Sequence, residues 1–260
     1  MVFAFVSLKM VAYYGNYMML IGYTVTLLNV IFEGMGASIG SLVSENNKKH
    51  TLSVFWELFT SRIWISGIAC FTLYISIAPF ITLWIGEKYI LSNTTLILLV
   101  VGMFIRMTRS VVDSFKNAYQ LFGDVWSPIA EACINLGCSI LFGYWWGLNG
   151  IIMGSNLSLI LIVLLWKPYY TFKHGLKASW FSYYFQYILH LLVLIGTAFI
   201  SIWCMKTTNY QTNDYLYCAL NLTMTIILFI VITYIILYVL TPGMKQFTTR
   251  LIHLTKRIKS

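Results

Sequence analysis

Seven runs of this chain are long enough and apolar enough to cross a lipid bilayer, and they limit its fold more than any other feature. They lie near Tyr17–Val43, Ile63–Ile85, Ser92–Asp113, Ile129–Trp146, Leu148–Trp166, Phe181–Trp203 and Tyr215–Leu240. A hydrocarbon core of about 30 Å needs roughly 20 helical residues, the length these runs supply. Only 10% of the 260 residues are charged, whereas 59% are hydrophobic. So few charges cannot cover a soluble surface, and an average soluble domain carries about 25%. The expected fold is therefore an all-α integral membrane protein of about seven transmembrane helices. A barrel would instead show alternating segments of about 10 residues.

The ends of the runs carry matching punctuation. Trp84, Trp126, Trp145, Trp146, Trp166, Trp180 and Trp203 lie near boundaries, where aromatic rings favour the headgroup layer. Pro128, Pro168 and Pro242 fall at or beyond helix ends, and Pro79 inside the second run predicts a kink. Residues Trp146–Gly150 (WGLNG) predict a tight hairpin between the fourth and fifth helices. Residues 1–16 read as an external segment or the tail of a preceding helix, 17–240 as the transmembrane lobe, and 241–260 as a basic tail.

The net charge of +9 would suggest nucleic acid in a soluble protein. In a membrane chain it points to anionic lipid headgroups, with no nucleic-acid partner. With seven spans, 14 basic residues fall on one side and 3 on the other. The positive-inside rule then places the C-terminus in the cytoplasm and the N-terminus outside. The loop Lys167–Lys177 reads as headgroup-contacting surface, and Met244–Ile258 as an amphipathic interfacial helix.

No hydrolase, kinase or metal motif is present in the sequence, no cofactor is expected, and a transport role without covalent change would make the chain no enzyme. The five cysteines show no CxxC or Cys/His spacing. The informative group is Arg106, Arg109, Asp113 and Lys116, whose steps of three, four and three put them on one helical face. One reading is a cationic wall around a polar cavity, suited to phosphate. The other is an ordinary cytoplasmic helix end with an i,i+4 pair. Glu33, one turn after Asn29, is either a proton- or cation-responsive carboxylate or a hydrogen-bonded interface residue. Glu131, Asn135 and Ser139 form a polar stripe expected to bond to a neighbouring helix. His190 stands alone in its span and reads as structural.

Five segments carry a resemblance: Tyr14–Tyr17 (YGNY), Gly36–Gly40 (GASIG), Phe80–Gly86 (FITLWIG), Phe115–Phe122 (FKNAYQLF) and Pro128–Asn135 (PIAEACIN). In this order the chain resembles bacterial polysaccharide transporters. These are the O-antigen or capsule repeat-unit flippases of the multidrug/oligosaccharidyl-lipid/polysaccharide exporter superfamily. The resemblance implies the C-terminal lobe of a two-lobed transporter in the bacterial cytoplasmic membrane, working with a separate N-terminal lobe. It implies an undecaprenyl-diphosphate-linked oligosaccharide as substrate and a proton or sodium ion for coupling. Arg106, Arg109 and Lys116 would attract the diphosphate, with Asp113 orienting them. Two alternatives stay open. A multidrug cation exporter would need an acidic or aromatic cavity, and a membrane polymerase or ligase acting on lipid-linked sugars would need a large external loop.

Overall fold

The computed structural model describes residues 7–33, 35–207 and 215–259; residues 1–6, 34, 208–214 and 260 lie outside it. Among the described residues there is no strand. The helices are α1 (Leu8–Glu33), α2 (Met35–Ser44), α3 (Lys48–Trp84), α4 (Asn93–Ala118), α5 (Trp126–Leu176), α6 (Trp180–Thr207), α7 (Tyr215–Leu240) and α8 (Pro242–Lys259). Five of them, α3 to α7, are long and apolar enough to cross a membrane. Among the described residues the fold is thus all-helical and consistent with a multi-pass membrane protein, and the expected count of seven is not confirmed. The first expected span, Tyr17–Val43, falls on α1 and α2, and Gly34 between them lies outside the described residues. The fourth and fifth fall within the single long element α5.

α5 doubles back at Gly147, where φ is 55° and ψ −129°. That φ is left-handed, a region glycine enters without a Cβ clash. Beyond the reversal the two arms pack backbone against backbone. A Cβ at Gly150 would overlap the Phe142 carbonyl, and one at Gly154 would overlap the backbone of Cys138 and Ser139. Such close approach excludes any larger residue at either position. The second arm widens into π-helix over Leu159–Trp166 and again over Phe172–Leu176. The hairpin expected at Trp146–Gly150 is therefore present, and its second arm continues to Leu176 rather than ending at Trp166.

The chain divides into two compact units. Residues 7–47 and 76–180 belong to the first, and 48–75 with 181–259 to the second. In the first unit α4 is central, packing against α1, α2 and α5. Its buried residues Leu96, Leu99, Met103, Met107, Val111 and Phe115 recur every three or four positions, the period of one helical face. The Ser92 side chain accepts a hydrogen bond from the Thr95 N–H and caps its start.

In the second unit the first three-quarters of α3 packs against α6 and α7. Leu194 of α6 lies over Gly67, and the Phe71 and Phe229 rings stack at 4.1 Å. Trp64 Nε1 donates to Thr233 Oγ1 at 3.1 Å. The opposite face of α6 exposes Phe185, Ile188, Leu192, Phe199 and Trp203, a surface suited to lipid. α3 begins 15 residues before the expected span and runs through Pro79 to Trp84. Arg62, expected in a loop, therefore lies inside a helix and is 1% exposed. Helix-spaced Phe55, Phe59, Ile63 and Cys70, all buried, explain why the helix continues through the charged stretch.

Candidate functional site

The polar groups of the first unit gather where α4 meets α5. Near the start of α4, Thr95 Oγ1 donates to Asn149 Oδ1 at 2.6 Å. About two turns further along α5, Asn156 Nδ2 donates to the Leu98 carbonyl at 2.8 Å, and its Oδ1 fits against Gly102. Neutral polar bonds thus hold the second arm of α5 to the first half of α4, and charged ones hold it to the second half.

Asp113 is the hub of the charged half. Its Oδ2 lies 2.8 Å from Arg109 Nε, and its Oδ1 lies 3.2 Å from Lys167 Nζ. Lys167 was expected on a headgroup-contacting loop; instead it is buried within α5. It directly follows the π-helical stretch Leu159–Trp166. Lys116 pairs with Asp124, a nearly buried carboxylate in the turn before α5. Ser127 Oγ donates to the other oxygen of Asp124 at 3.2 Å. The Tyr170 ring lies under the Lys116 ammonium, 5.9 Å from its centroid. Glu131 lies within electrostatic reach of Arg109.

Arg106 is placed differently. It is exposed, one turn before Arg109, and within electrostatic reach of Tyr14 on α1. The structure therefore brings Arg109 and Asp113 into one ion-paired cluster with Lys167, places Lys116 in a separate pair with Asp124, and leaves Arg106 exposed one turn before Arg109. Four cations (Arg106, Arg109, Lys116, Lys167) face three carboxylates (Asp113, Asp124, Glu131), a net charge of +1. The arrangement can attract an anion at Arg106 and Arg109, while Lys116 is held by Asp124.

The other expected residues lie elsewhere. Asn135 Oδ1 accepts from Ser139 Oγ at 3.0 Å and from Ser155 Oγ at 2.9 Å, so the stripe on the first arm of α5 bonds to the second arm. Ser139 Oγ also donates to the Ile151 carbonyl. Asn29 is half-buried on α1, and the Glu33 side chain lies outside the described residues. His190, in the second unit, is buried with its Nδ1 2.6 Å from the Gln186 carbonyl and its ring edge-on to Phe59. Among the described residues, no three His, Cys, Asp or Glu side chains converge to hold a metal.

Sequence reasoning missed Lys167 and Asp124. The signal for Lys167 was its place at the end of a 35-residue uncharged stretch, followed at once by Pro168. Asp124 was signalled by its position just ahead of the start of α5, where a carboxylate is favoured. Compared with known protein families, with curated proteins and with solved structures, the chain finds no match in any of the three.

Proposed function

We propose that this chain is the helical lobe of a transporter that moves a diphosphate-linked oligosaccharide lipid across the bacterial cytoplasmic membrane. Arg106 and Arg109 receive the diphosphate. Asp113 holds Arg109 in place through Nε, and a guanidinium held on that side keeps its terminal N–H groups for a phosphate. The observation that carries this reading is an exposed arginine, Arg106, one turn from an ion-paired one within an apolar 26-residue helix. A guanidinium near the centre of a span facing lipid costs about 2.5–3.5 kcal/mol on insertion scales, which a wet cavity removes. The five segments that resemble polysaccharide transporters supply the substrate class. The C-terminus lies in the cytoplasm, following the basic excess on that side. Transport changes no covalent bond, so no catalytic residue is assigned.

The test is binding to the purified chain in nanodiscs, using a radiolabelled polyprenyl-diphosphate oligosaccharide and the same glycan on an uncharged polyprenol. The reading expects saturable binding of the diphosphate only, weakened at least ~10-fold by the double change Arg106→Ala and Arg109→Ala. Equal binding of the two lipids, or binding unchanged by the double substitution, rejects it.

A further inference from the structure

We propose that α8 is an anchor for an anionic lipid leaflet, clamped to the second unit by its first half and lying in the headgroup layer with its second. This is independent of what α4 binds.

The clamp is built from four contacts. Gly243 sits on the Trp56 carbonyl and Thr60, where a Cβ would not fit. Ser53 Oγ donates to Gln246 Oε1 at 3.0 Å, and Tyr234 Oη lies 3.0 Å from Thr248 Oγ1. Arg250 Nε is 2.9 Å from Oε1 of Glu57, a nearly buried carboxylate. Together they fix residues 243–250 across the first turns of α3 and the last turns of α7.

These contacts also fix the depth. α7 ends its apolar span at Leu240, and α8 starts two residues later at Pro242. With only Thr241 between them, α8 begins at the edge of the hydrocarbon. The start of α3 lies at the same rim, because Ser53 meets Gln246, and it carries exposed Lys48 and Lys49.

The chemistry of the partner follows from the residues left uncovered. Residues 242–260 contain no Asp or Glu. Lys245 and Lys256 are exposed, and so are Leu251 and Ile252, at 46% and 49%. By sequence spacing Met244, Phe247, Leu251, Leu254 and Ile258 fall within about 80° of one helical face. A helix with an apolar face and a basic remainder, held at the edge of a span, suits the boundary between headgroups and acyl chains. An acidic soluble partner would satisfy the lysines but leave Leu251 and Ile252 without an apolar surface. A bilayer containing anionic phosphate headgroups satisfies both.

The experiment is amide hydrogen exchange of residues 251–259 in the full chain. Nanodiscs of phosphatidylcholine are compared with nanodiscs in which phosphatidylglycerol is mixed. Exchange should be ~10-fold slower in the anionic discs at low salt, and the difference should vanish in high salt. The combined substitution Lys245→Gln, Lys256→Gln, Arg257→Gln and Lys259→Gln should abolish the lipid dependence while residues 243–248 stay protected. Equal exchange in the two lipids overturns the proposal, and the wild-type comparison alone decides that point. Protection that tracks protein concentration rather than lipid charge overturns it in favour of a second copy. Lipid-dependent protection that survives the four substitutions overturns the assignment to these basic residues.

Discussion

Replacing Asp113 by Asn separates the two roles of its carboxylate, because its partners differ in burial. The Lys167 side chain is 8% exposed, whereas Arg109 is 35% exposed. Removing one partner of a buried pair leaves an uncompensated charge and costs about 3–5 kcal/mol. An exposed pair contributes about 0–1 kcal/mol. Lys167 therefore dominates, and since Asp113 itself is 26% exposed, the lower end of the buried range applies. We expect Asp113→Asn to destabilise the first unit by about 3 kcal/mol. The second change Lys167→Met, which removes the stranded ammonium and keeps its length, should restore most of this loss. The assay is equilibrium unfolding of the purified chain in mixed micelles, followed by tryptophan fluorescence. Trp166 adjoins Lys167 and packs on Trp126 at 4.7 Å, so it reports on this region. A loss under about 1 kcal/mol for Asp113→Asn, or a double variant no better than the single, refutes the reasoning from buried charge.

Gly154→Leu should prevent the two arms of α5 from closing, reducing folded yield sharply by fluorescence size-exclusion, while Gly196→Leu, where nothing lies within 4 Å, should be tolerated. Asn156→Leu should cost about 1–3 kcal/mol by leaving the Leu98 carbonyl without its 2.8 Å bond and crowding Gly102, measured in the same unfolding assay. A reporter fused after Lys177 should give a cytoplasmic signal and one after Tyr210 an external signal; the reverse pattern removes the orientation proposed from the basic excess.

The hairpin in α5 was legible because its determinants are local. A glycine at a left-handed φ and small residues at close-packing positions leave marks in the sequence itself. The partners of Asn135 were legible only as a class: spacing showed that the stripe needed a neighbour, and the fold supplied Ser155. Charged residues were misjudged in one direction. Arg62 and Lys167 were placed in loops because a charge was taken to end a span, whereas both are buried in helices. For Lys167 the reason is visible: Asp113, 54 positions away in the chain, compensates its charge. Such compensation is a tertiary property, and no window along one segment contains it.

In the proposed function, the exposed side of α4 at Arg106 faces a wet, anion-binding cavity. The most direct measurement keeps Arg106 and places a single cysteine at position 110, one turn further along α4, in a chain otherwise free of cysteine. Its reaction with a charged, membrane-impermeant thiol reagent is then followed in vesicles, with and without polyprenyl-diphosphate oligosaccharide. We expect rapid modification that the diphosphate lipid slows and the uncharged polyprenol glycan does not. Modification only by an apolar maleimide would place residue 110 in lipid and contradict the wet cavity, and rapid modification that the diphosphate leaves unchanged would contradict the anion site.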